Sequence, residues 1–95
     1  MDVDTLAEEL SKSCIKKFGE MSSEQRLLSI VRQVADASGA IAVRDGAIRG
    51  GQRHGYENVP HRVACILAEV LILARKENVD LDRQMKILLK WYQED

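Results

Sequence analysis

Glu69 is the only charged residue between Arg62 and Arg75, inside an otherwise apolar stretch with helical periodicity. An ionised carboxylate in apolar surroundings is costly unless it is paired, binds a metal or reaches water. Glu69 is therefore expected to be a metal ligand, half of an ion pair, or part of a solvent-facing stripe. On the preceding helical segment Arg32, Gln33 and Asp36 break the apolar face. Gln33 and Asp36 are three residues apart and share one side of a helix, the geometry two oxygen ligands need to hold one cation. Any solvated helical face offers similar pairs, so a plain surface position stands as the alternative. Between the two segments Arg44, Arg49 and Arg53, with Arg62 just beyond, are opposed only by Asp45 and Glu57. Interspersed glycines let backbone N–H groups approach an anion, and arginine forks onto phosphate oxygens, so a phosphorylated ligand or RNA would suit this loop. A solvated loop is the alternative there. His61 and Cys65 lie four apart on one helical face with His54 nearby, but zinc needs a third and usually a fourth ligand. No nucleophile elbow, phosphate-binding P-loop or paired Cys-x-x-Cys occurs, so nucleophilic hydrolases, P-loop enzymes and zinc ribbons have no support.

These residues have to be positioned by a small, helical scaffold. With 95 residues the chain is read as one domain over 1–95, too short for a Rossmann or barrel enzyme. A chain of this size has a marginal core, which a partner subunit would help. Its 45% hydrophobic and 31% charged residues are too apolar for disorder. A net charge of −1 argues against a dedicated nucleic-acid binder, so any anion site must be local. Two cysteines, Cys14 and Cys65, in apolar helical patterns suggest reduced thiols and a cytoplasmic setting. Met1 to Glu9 carries four acids and no apolar core, which argues against a signal peptide. The apolar run Val63 to Ala74 is too short to span a bilayer and contains Glu69.

The only proline is Pro60, and most glycines crowd between Gly39 and Gly55, so the remainder predicts an all-α fold of four helices. Leu6, Leu10, Cys14 and Phe18 recur at four-residue steps, with Asp4 as a candidate N-cap and Gly19 as the stop. Ser22 and Gln25 have capping-box spacing before a helix from Ser23 to about Val43, with Leu27/Leu28, Val31, Val34/Ala35 and Ile41/Ala42 as its apolar stripe. Arg44 to Asn58 reads as a variable basic loop. Asn58 or Val59 caps a third helix with Pro60 in its first turn, running to Glu77; its apolar residues cover most of the circumference, as in a central helix. Asn78 suits a C-cap and Asp80 the next N-cap, and Leu81, Met85, Leu88/Leu89 and Tyr92 continue to the end.

This order of parts resembles the MazG-like all-helical nucleoside triphosphate pyrophosphohydrolases. The likeness spans most of the chain and is best in LLSIVRQVADASGAI at 27–41, similar to the family's leucine-rich Glu-x-x-Glu segment. It continues in ILAEVLILARKENVDLD at 66–82, similar to the family's core helix and its Val-Asp-Leu exit. The resemblance implies a four-helix bundle completed by homodimerisation or a higher homo-oligomer. It also implies a Glu-x-x-Glu and a Glu-x-x-Asp that hold Mg2+, which binds the triphosphate while water cleaves between the α and β phosphates, giving a nucleoside monophosphate and pyrophosphate. Aligned here, the first pair falls on Gln33 and Asp36 and the second on Arg62 and Cys65. Glu69, one turn after Cys65, can reach toward the same cleft. The implied metal ligands are then Asp36, Glu69 and Gln33, and the implied phosphate-binding residues Arg44, Arg49, Arg53 and Arg62.

With three of four ligand positions changed, the resemblance implies either a divergent magnesium-dependent pyrophosphohydrolase or a catalytically silent nucleotide-binding relative. A different class, a helical protein-interaction module without nucleotide binding, predicts the missing ligands directly but gives no reason for the arginine loop.

Overall fold

A computed structural model describes residues 2–46 and 59–94. Helix α1 runs over Val3–Phe18, α2 over Ser23–Arg44, α3 over Val59–Lys76 and α4 over Leu81–Gln93, with no strand among the described residues. The chain is all-α, as the scarcity of breakers predicts.

Each helix end follows from a local signal. Asp2, two residues earlier than the expected Asp4, caps α1 by accepting from the Thr5 N–H at 2.7 Å. Both aspartates precede the same periodic run, and only Asp2 has the extended backbone a cap requires. Gly19 ends α1 at φ +83°, in the left-handed region where a Cβ is strained. Ser22 opens α2 with a complete capping box: its Oγ accepts from Gln25 N–H at 3.1 Å and its own N–H donates to Gln25 Oε1 at 2.9 Å. Pro60 sits in the first turn of α3, where its absent N–H loses nothing. Asn78, at φ 56°, closes α3 as a Schellman motif: its N–H donates to Arg75 O at 3.2 Å and the Val79 N–H to Ala74 O at 2.8 Å. Asp80 then caps α4 through the Arg83 N–H at 3.1 Å.

Helix α3 is central, with α2 packed along one side and α1 across another. Helices α2 and α3 run antiparallel, since Arg26 and Asp36 of the first pair with Glu69 and Arg62 of the second, and Ser23 at the start of α2 bonds to Glu77 just past the end of α3. The apolar core is Ala7, Ala37, Ala40, Leu71 and Ala74. Four of these five are alanines, which allow close helix approach but remove little apolar surface from water.

The facing of α2 differs from the expected one. Its buried stripe is Arg26, Ala37 and Ala40, with the half-buried Ile30 and Gln33 at the same helical spacing. The stripe expected to form the core, Leu27, Leu28, Val31, Val34 and Ile41, faces outward, with Leu28 and Val31 each 65% exposed. The cause is the seam with α3: alanines admit close contact, and a carboxylate on α3 requires the cation at position 26 to turn inward. Helix α4 carries Leu81, Met85, Leu88 and Tyr92 on one face yet has no buried residue. Among the described residues, no helix is long and apolar enough to cross a membrane.

Candidate functional site

The polar residues of the α2–α3 seam form the only cross-helix cluster that unites several of the expected site residues among those described. Arg26, one turn into α2, donates through Nη1 to Glu69 Oε2 at 3.1 Å and through Nη2 to Cys14 Sγ of α1 at 3.6 Å. The two charged side chains are 4% and 16% exposed, so this ion pair is largely withdrawn from water. Burial acts to lower the Arg26 pKa, but the hydrogen bonds to Glu69 and Cys14 and the charge of Glu69 outweigh it and hold the guanidinium above its ordinary value. Of the three situations open to Glu69, the structure places it in an ion pair.

Ten residues along α2 the polarity reverses. Asp36 Oδ2 lies 3.6 Å from Arg62 Nη1 of α3 and 4.0 Å from Arg32 Nε of its own helix. Arg62 Nε is buried and has no acceptor among the described residues. Gln33 is half-buried on the stripe that also carries Arg26. Asp36 and Glu69 thus each face a guanidinium, and the seam is charge-compensated along its length. A hard divalent cation binds where several oxygen ligands leave uncompensated negative charge. Among the described residues no group of three or more His, Cys, Asp or Glu side chains is placed to hold a metal ion.

Of the four expected phosphate-binding arginines only Arg44 and Arg62 lie among the described residues, and they take different partners. Arg44 ends α2 and forks onto its neighbour, Nε to Asp45 Oδ1 at 3.0 Å and Nη2 to Oδ2 at 3.5 Å. Arg62 is engaged with Asp36 at the start of α3. Arg49, Arg53 and His54 lie outside the described residues. His61 Nε2 and Cys65 Sγ are 3.5 Å apart on the first turns of α3, as their four-residue spacing predicts.

Sequence reasoning missed Arg26. The signal was present: residues 26, 30, 33, 37 and 40 form one helical stripe that ends in alanines, and a charged residue heading such a stripe must find a buried counter-ion. Compared with known proteins, the chain matches no family model, no curated protein and no solved structure.

Proposed function

We propose that this chain is a helical assembly module of MazG-like architecture that associates with a second copy of itself and is catalytically silent. The observation that supports it best is the inverted facing of α2. Leu27, Leu28, Val31, Val34 and Ile41 make a stripe about four turns long on the outer side, while the inner side buries alanines. Scattered apolar residues are ordinary on a surface, but a continuous stripe marks an interaction face. Burial of apolar area contributes about 25 cal/mol per Å2, and here most of the large apolar side chains remain to be buried. A second copy is the economical occupant, because two identical stripes are self-complementary about a two-fold axis.

Silence follows from the seam. In the MazG-like reading Mg2+ would be held by Asp36, Glu69 and Gln33. Arg26 and Arg62 already neutralise both carboxylates, so little negative charge is left to offset dehydration of the ion. Nucleoside triphosphate pyrophosphohydrolysis is accordingly not proposed. Analytical ultracentrifugation tests the assembly: Leu28→Glu with Val31→Glu should halve the number of chains per particle while the helical circular dichroism is kept. A monomeric wild-type chain at tens of micromolar would refute the reading. Thermal melts with magnesium and a panel of nucleoside triphosphates test the silence. Ligands that bind only the folded state raise the melting temperature, so a magnesium-dependent rise with pyrophosphate release would restore the enzyme.

A further inference from the structure

A second self-complementary surface lies away from the α2 stripe. Where α1, α3 and α4 meet, an open groove of about 700 Å3 has an apolar floor that includes Leu67 and Val70 of α3 and Leu81 and Met85 of α4. Its rim is acidic, formed by Asp2, Asp4 and Asp82. Asp82 shares its carboxylate with Lys86 at 3.0 Å, and Asp2 is spent on its cap, which leaves Asp4 as the open charge.

The opposite end of α1 has the complementary character. Phe18 is 70% exposed and Ile15 45% exposed, beside Lys16 and Lys17. The Lys17 ammonium stands 5.3 Å from the Phe18 ring centroid. Among the described residues neither lysine is in an ion pair. Acids in the first turn and lysines in the last both complement the helix macrodipole, which accounts for the charges. It does not account for an exposed phenyl ring next to the lysines. An apolar anchor flanked by cations is what an acid-rimmed apolar groove selects, both for attraction and against other partners.

We infer that the groove receives the Phe18 end of α1 from another copy of this chain, with Lys16 and Lys17 set against the aspartate rim. Groove and anchor sit at opposite ends of one helix. Two copies with antiparallel α1 helices therefore make the contact twice, which is an isologous interface. This rests on the proposed assembly through α2 and extends it: two different isologous interfaces on one chain, with two-fold axes crossing at right angles, close into a particle of four copies.

Sedimentation of three proteins tests it. Lys16→Glu with Lys17→Glu makes both ends of α1 acidic, and Asp4→Lys with Asp82→Lys makes both basic; Asp2 is left to cap. Wild type should sediment with the mass of four chains, and each variant with the mass of two. An equimolar mixture should return to four, because the acidic groove of one variant then meets the basic end of the other, and the basic groove of the second meets the acidic end of the first. Phe18→Ser removes the anchor without a charge change, and its side chain is exposed within one chain, so the fold is kept; it should also stop at two. A wild type of two chains that Leu28→Glu with Val31→Glu splits and Phe18→Ser does not overturns this contact and leaves the α2 assembly standing; the reverse overturns the α2 assembly. A monomeric wild type overturns both. Four chains retained by Phe18→Ser, or no recovery on mixing, also overturns the contact.

Discussion

Removing one partner of the Arg26–Glu69 pair should be the most damaging single change to the described structure. In Glu69→Leu the guanidinium of Arg26, 4% exposed, loses the only carboxylate paired with it among the described residues, and the Cys14 thiol at 3.6 Å is too weak an acceptor to replace it. Breaking a buried ion pair from one side costs about 3–5 kcal/mol. For a chain of this length the unfolding entropy is about 0.2 kcal/mol/K, so the melting temperature should fall by about 15–25 °C. Arg26→Met should cost a similar amount, since it strands Glu69 at 16% exposure. The double variant Arg26→Met/Glu69→Leu restores an apolar seam of similar volume, and such replacements are close to neutral. Thermal and urea melts of the four proteins, at one chain concentration because association shifts the midpoint, give the coupling energy as a double-mutant cycle. A Glu69→Leu loss below about 1 kcal/mol, or a double variant no better than the singles, would mean that the pair is hydrated and does not hold the seam.

Three further outcomes follow from local geometry. Ser22→Ala removes half of the capping box and should cost about 1 kcal/mol, seen as a melting temperature roughly 5 °C lower. Asn78 occupies the left-handed region at φ 56°, so Asn78→Gly should be neutral within a few tenths of a kcal/mol in urea melts and Asn78→Val should lose about 1–2 kcal/mol. Asp2 is held below its ordinary value of 3.8 by the Thr5 N–H, and Glu8 below 4.5 by its hydrogen bond to Lys12. Both favour the charged form in the fold, so their contribution is complete above those values and is lost as pH falls through the lower folded ones. Melts across about pH 2 to 6 should show it, and Asp2→Asn with Glu8→Gln, which keeps a capping side chain, should make the acid limb shallower.

Helix boundaries were legible because each is a one- or two-residue device. Ser22 with Gln25, Gly19, Asn78 and Asp80 all act where their types predict. The facing of α2 was not legible, because that helix carries two stripes of the same period. Hydrophobicity favours Leu27, Val31, Val34 and Ile41, whereas packing against α3 uses Ala37 and Ala40, and a pattern of period 3.6 cannot rank the two. In the proposed assembly a second copy would make both stripes interior, so that a sequence can look well cored while its single chain is not. Glu69 announced itself as a carboxylate needing a partner on the adjacent helix, but Arg26 and Arg32 were both available there. Only three-dimensional register separates them: Arg26 turns inward and Arg32 remains 81% exposed at the side chain.

The order of charges explains why that register is the stable one. Read from the N-terminus, α2 presents Arg26 and then Asp36, and α3 presents Arg62 and then Glu69. Both helices run from cation to anion. A parallel alignment would set Arg26 against Arg62 and Asp36 against Glu69, whereas the antiparallel one pairs each cation with an anion. The charges of each helix are about 15 Å and 10 Å apart along the axis at a rise of 1.5 Å per residue, so both pairs form together in one alignment. A slip of one turn brings Arg26 beside Cys65 or Leu73 and leaves a guanidinium buried without a counter-ion. The alanines at 37 and 40 would pack almost as well at the slipped register, because small side chains specify little. Direction and register are therefore set by the two ion pairs, and the same carboxylates that could have bound a cation are committed to holding the helices in place.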